Sequence, residues 1–236
     1  MLGKKLHLAM TDPSSPLHSK ATQNRRQWLK TAVGLGLVAP LAGTGLGGCG
    51  TEPDTGCRLP AAGAWMAVGD SLTHGKGAEQ RSYPLQLSES MNRTVLKFGV
   101  NGERSDQLRR RLPALLSQHR PALVLVTSGG NDFLQKTDRQ GTLDNLRAIA
   151  QNIRASGALP VFFAIPTPSL AALVSGLQDD PIFETLAKEG NAVIADVVSR
   201  VLSKSAWRSD PVHPNEEGYG LMAKAAQSFL ERCTAS

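Results

Sequence analysis

The chain has 236 residues, 26 Lys and Arg against 20 Asp and Glu, five histidines and three cysteines. Six of the basic residues and one of the acidic ones lie in 1–48, which leaves 20 against 19 beyond it and accounts for nearly all of the +6 net charge. Without that end the chain is close to neutral. It has no basic stripe with interleaved aromatics for nucleic acid and no Cys or His spacing of a zinc site.

Residues 1–48 read as a targeting segment and not as fold. Asn24-Arg25-Arg26-Gln27-Trp28-Leu29-Lys30 carries paired arginines, a Gly- and Ala-rich apolar run follows, and Leu46-Gly47-Gly48-Cys49 closes it. The pattern resembles a bacterial twin-arginine signal peptide ending in a lipobox, which implies lipidation of Cys49 and export to the periplasmic side of the envelope. A transmembrane anchor fits less well, because a span needs roughly 20 strongly apolar residues and this run is shorter and broken by Pro40. Gly50 lacks an acidic retention signal, which favours the outer membrane. Gly43-Thr44-Gly45-Leu46-Gly47-Gly48 satisfies the dinucleotide pattern, but no strand precedes it, so that reading is rejected.

Residues 49–63 read as a tether from the lipidated cysteine, rich in Pro, Gly and Thr. Its extended reach is roughly 45–50 Å. Residues 64–233 then form one domain. Apolar runs at 65–68, 95–100, 123–127, 160–165 and 192–197 predict strands. Helical spacing appears at 83–91, 105–118, 143–155, in part of 170–189, and at 215–231 behind Pro214. Strand–helix alternation of this kind predicts an α/β fold with a parallel five-stranded sheet covered on both faces. Arg109-Arg110-Arg111 falls within the second helical stretch and reads as a solvated face.

Parallel topology sets the geometry. Ser71, Gly102 and Asn131 each follow a different apolar run, so all three gather at the carboxyl edge of the sheet, where ligands bind. The loop 209–214 precedes a helix that returns antiparallel to the strands and therefore starts at the same edge. Cys57, before the first strand, and Cys233, after the last helix, fall at the opposite edge. That places them near enough to form a disulfide in an oxidising compartment.

The residues at the carboxyl edge can carry out acyl transfer. Ser71 needs a base and an oxyanion acceptor to act as a nucleophile. In Asp210-Pro211-Val212-His213-Pro214, His213 can take the serine proton while Asp210 holds the ring in one tautomer. His74 has no paired carboxylate, and His119 reads as a favourable charge at a helix C-terminus. The Ser71 N–H, Gly102 and the Asn131 amide are candidate oxyanion donors. Gly102 as a turn residue and Asn131 as a loop cap are the plainer alternatives. Leu72, Phe133, Leu134 and Trp207 read equally as an apolar acyl pocket or as core.

Gly69-Asp70-Ser71-Leu72, Gly102, Gly129-Gly130-Asn131-Asp132 and Asp210-x-x-His213-Pro214-Asn215 together resemble, in order and spacing, the four blocks of the SGNH, or GDSL-type, hydrolases. The resemblance implies a flavodoxin-like α/β/α sandwich with Ser71 as nucleophile, His213 and Asp210 as base pair, and Ser71, Gly102 and Asn131 as oxyanion hole. Leu112-Pro113-Ala114-Leu115-Leu116 and Gln118-His119-Arg120-Pro121 are similar to the periplasmic acyl esterase branch with thioesterase and lysophospholipase activity. The bulky Glu103-Arg104 replaces the smaller polar pair expected there, and 165–178 does not match that branch's substrate loop. The expected function is serine ester hydrolysis of small acyl substrates by a monomer, without metal or organic cofactor and without nucleic acid. The alternatives are a carbohydrate O-acetyl esterase and, in another class, an envelope lipoprotein that binds an ester without turning it over.

Overall fold

The computed structural model describes residues 57–60, 62–167 and 176–235. The expected targeting segment 1–48, the expected lipidation site Cys49 and most of the expected tether lie outside the described residues. In chain order the elements are β1 (Arg58–Leu59), β2 (Trp65–Gly69), α1 (Ser71–His74), α2 (Tyr83–Ser90), β3 (Val95–Gly99), α3 (Ser105–His119), β4 (Leu123–Thr127), α4 (Gly130–Leu134) and α5 (Arg139–Ala155). There follow β5 (Leu159–Phe163), α6 (Pro181–Lys188), β6 (Ala192–Ile194), α7 (Val197–Ser203), β7 (Arg208–Asp210), β8 (His213–Pro214), α8 (Glu216–Glu231) and β9 (Thr234–Ala235).

Five strands form one parallel sheet in the order β3-β2-β4-β5-β6. Counted within the sheet this is 2-1-3-4-5, the flavodoxin-like winding, whose direction reverses between β2 and β4. Every residue of β2 and of β4 is buried, as expected of central strands covered on both faces. On one face α2 packs against α8 and α8 against α7; on the other α3 packs against α5 and α5 against α6. The helices bury single stripes. In α5 these are Leu143, Leu146, Ile149, Ala150 and Ile153, behind an Asp138 cap that accepts from the N–H groups of Gln140 and Gly141.

The structure departs from the sequence reading at three places. The last strand ends at Ile194 and not at 197: Asp196 turns left-handed (φ 63°) and Val197 opens a helix. The β-branched run Val197-Val198 is buried by helix packing, and this resembles strand character in the sequence. Part of the segment expected to be a tether is also structured: Cys57 is bonded to Cys233, with Cα atoms 4.9 Å apart, and β1 pairs in parallel with β9. Finally, the short α1 and α4 are too brief to show a period, and they form the turns that carry Ser71 and Asn131.

Candidate active site

The nucleophile turn begins at Gly69, whose φ is +136° and where a Cβ would lie 1.8 Å from the Thr127 carbonyl oxygen. Only glycine lets the end of β2 lie this close to β4. Asp70 caps α1, its Oδ1 accepting from the Leu72 N–H at 3.0 Å and from the Thr127 hydroxyl at 3.2 Å. Burial pushes the Asp70 carboxyl up to about 7; these hydrogen bonds pull the other way, and Glu103 and Asp132 nearby add to the rise. Tyr219 reaches across from α8 and donates to the Lys76 carbonyl at 3.0 Å, fixing the far end of the turn.

Asp210 and His213 face each other across the β7–β8 hairpin. Asp210 Oδ1 accepts from the backbone N–H groups of Val212 and His213, both at 2.9 Å, and Oδ2 lies 2.7 Å from His213 Nδ1. Partial burial works against charge on this carboxyl. The Val212 N–H, the His213 ring and the His213 N–H outweigh it and hold the carboxyl below its usual range. An ionised Asp210 is acceptor-only, so Nδ1 must donate. The Nε2 lone pair of the neutral ring is then left facing Ser71 Oγ, 2.9 Å away. The hydroxyl, the imidazole and the carboxylate, 142 and 3 residues apart in sequence, form one hydrogen-bonded row.

Two loops close the other side. Among the described residues neither the Ser71 N–H nor the Gly102 N–H has a protein acceptor. The Asn131 side chain donates one N–H to the Glu103 carbonyl at 3.0 Å, leaving its second free. Asp132 ties this loop to α3 by accepting from the Ser105 N–H (2.9 Å) and hydroxyl (2.6 Å). Ser71, Gly102, Asn131 and His213 line one cleft of about 170 Å³. It opens between the carboxyl ends of β2 and β4, at the reversal of the sheet. The grouping expected from the sequence is therefore present in space.

Other expectations sort differently. His74 lies 3.8 Å from Glu79, His119 lies against Phe98, and neither lines the cleft. Of the proposed apolar pocket, Leu72 and Leu134 line the cleft. Phe133 is buried beneath Arg139, and Trp207 donates to Glu217 outside the cleft. The rest of the apolar wall comes from Pro211 and Val212 of the His213 block and from Ile165, Pro166, Leu177 and Leu202, which carry no sequence motif. Arg109 and Arg110 are surface residues, as expected, bonded to Asn145 and Asp106. Arg111 is not: it turns inward to the buried Glu103. A helical wheel places it within about 60° of Leu108, on the flank of the buried stripe.

The sequence profile of the GDSL-like lipase/acylhydrolase family matches residues 67–221. The chain is 32% identical over 171 residues to the thioesterase 1/protease 1/lysophospholipase L1 of Escherichia coli (strain K12), covering 70% of this chain and 82% of that protein. It is 29% identical over 176 residues to the arylesterase of Vibrio mimicus, covering 70% and 88%. Among solved structures, TesA superposes with a TM-score of 0.62 at 22% identity, over 71% of this chain and 98% of that one. The esterase EstA from Pseudoalteromonas sp. gives 0.61 at 20% identity, over 72% and 98%. These two share the fold. A profile that runs from β2 into α8, together with relatives aligned over most of their own length, establishes that the chain belongs to the GDSL-like lipase/acylhydrolase family and is a serine ester hydrolase.

Proposed function

We propose that the domain hydrolyses acyl esters through an acyl-enzyme on Ser71. The observation that carries the reading is the continuous row Ser71 Oγ–His213 Nε2 and His213 Nδ1–Asp210 Oδ2. His213 takes the Ser71 proton as Oγ attacks the ester carbonyl, and Asp210 stabilises the imidazolium. The oxyanion is held by the Ser71 N–H, the Gly102 N–H and the free Asn131 N–H. Collapse breaks the ester C–O bond, and His213 passes its proton to the leaving alcohol. Water, with His213 as base, then releases the acid and restores Ser71.

The apolar wall of Leu134, Ile165, Leu177 and Leu202 favours a hydrocarbon acyl group over an acetylated sugar. The activities for which the relatives are named, among them thioesterase, lysophospholipase and arylesterase, point the same way. Ser71→Ala is expected to abolish p-nitrophenyl butyrate hydrolysis and labelling by a fluorophosphonate. Retained turnover would refute the assignment. A panel of medium-chain esters against acetylated glycan decides the acyl class. Labelling absent from the native protein would favour a non-catalytic ester-binding module.

The leader pattern and Cys49 support an exported protein, lipid-anchored on the periplasmic side with the outer membrane preferred. The Cys57–Cys233 bond suits that oxidising compartment. Cys49→Ser is expected to shift the protein from the membrane fraction to the soluble one; unchanged partitioning would overturn the anchor.

A further inference from the structure

The turn that presents Gly102 has little packing to hold it. Val100, Asn101 and Gly102 are all exposed, and a side chain added at Gly102, where φ is +77°, would meet nothing within 4 Å. The next residue reverses this: the Glu103 side chain is 5% exposed. A buried carboxylate is costly unless it is paired and hydrogen-bonded. Arg111 from α3 supplies both, with Nε 2.5 Å from Oε1 and Nη2 2.7 Å from Oε2. The same Nη2 donates to the Phe98 carbonyl at 2.8 Å and lies 3.4 Å from that of Gly69. Phe98 is in the strand that leads into the Gly102 turn, and Gly69 ends the nucleophile's strand. The Glu103 carbonyl in turn receives the Asn131 side chain. One guanidinium fork therefore reaches all three segments that bear the oxyanion donors, directly or through Glu103, a geometry that lysine's point charge cannot reproduce.

We propose that Arg111, acting through Glu103, is the positioning residue of the oxyanion hole, setting the Gly102 N–H and the Asn131 amide relative to Ser71. This rests on reading those groups as oxyanion donors. Donors of this kind work because they need no rearrangement as charge develops. Loosening the turn therefore lowers kcat and leaves ground-state binding nearly intact.

The test uses Arg111→Met, Arg111→Lys and the apolar pair Glu103→Leu with Arg111→Met. Each is assayed with p-nitrophenyl butyrate, normalised to Ser71 sites titrated to completion with a fluorophosphonate, beside a thermal melt. In Arg111→Met and in the apolar pair, kcat per site is expected to fall on the order of 10²-fold, the cost of a displacement of about 1 Å. KM should stay within about threefold, and affinity for a boronic acid transition-state analogue should fall with kcat. Arg111→Lys recovers part of the loss. The apolar pair removes the buried charges together and keeps a melting temperature near the native one, so unfolding does not account for the effect. A folded apolar pair or Arg111→Met with kcat within about twofold of native overturns the proposal. So does a set of variants in which no site can be titrated, because a positioning role leaves the domain folded. Asn131→Ala separates the two layers: if it too leaves kcat unchanged, the oxyanion reading has failed and not merely the role of Arg111.

Discussion

Removing the Cys57–Cys233 bond tests whether stability and catalysis are carried by opposite edges of the sheet. The bond closes a loop of 176 residues, nearly the whole domain. By the chain-entropy relation a loop of that length restricts the unfolded chain by about 5 kcal/mol at 25 °C. Domains of this size have stabilities of roughly 5–15 kcal/mol, so a large share is at stake. The two-residue pairing of β1 with β9 is too short to replace the constraint. At roughly 2–4 °C per kcal/mol for domains of 150–250 residues, Cys57→Ser with Cys233→Ser should melt about 10–20 °C below the native protein. Reduced native protein should match the variant. Meanwhile α8 carries the chain about 24 Å from the cleft edge to Cys233, so turnover of p-nitrophenyl butyrate at 25 °C should stay within about twofold of native. A melting shift below about 4 °C would refute the loop-constraint argument. A collapse of turnover in protein that still melts cooperatively would refute the separation of the two edges.

Three further outcomes follow from the site. Asn131→Ala should lower kcat about 10²–10³-fold with little change in KM, as loss of one oxyanion donor does; steady-state kinetics on p-nitrophenyl butyrate check it. Asp210→Asn keeps the shape but offers Nδ1 a poor acceptor, and kcat should drop on the order of 10³–10⁴-fold; an unchanged rate would remove Asp210 from the base pair. Asp70→Asn should flatten the pH dependence of stability. The native carboxyl titrates near 7 in the fold against an ordinary value of 3.8. Its protonated form therefore favours folding fully below that ordinary value, and the advantage is lost as pH rises through about 7. Asparagine keeps an oxygen acceptor for Leu72 and Thr127 without the charge. Denaturant midpoints of variant and native should thus diverge between about pH 4 and pH 7, by at most about 4 kcal/mol; parallel curves would contradict the burial argument.

The residues that meet in the cleft were legible because each sits in a short block at the end of an apolar run, and parallel winding sends all those ends to one edge. The disulfide was legible for the complementary reason: Cys57 and Cys233 bracket the domain on the other side. What was not legible lacks either a period or a motif. Val197-Val198 looks like strand until the left-handed Asp196 is known. The inward turn of Arg111 was hidden by two arginines beside it that face water, although its place next to Leu108 on the wheel was available. The cleft wall of Ile165, Pro166, Leu177 and Leu202 is assembled from separate stretches by tertiary packing alone.

The division of labour across the sheet has a consequence for how such an enzyme changes. The oxyanion donors and the serine hang from the ends of β2, β3 and β4, locked to one another by Gly69, Glu103 and Asp132. Ile165, Pro166, Leu177 and Leu202 belong to segments after β5 and to α7 and make none of those bonds. Diversification of the acid accepted is therefore decoupled from the machinery that cleaves it. Exchange of bulk at Pro166, Leu177 and Leu202 is expected to retune chain length without touching the bond-breaking half of the molecule, whereas Ile165 lies against Gly130, beside Asn131.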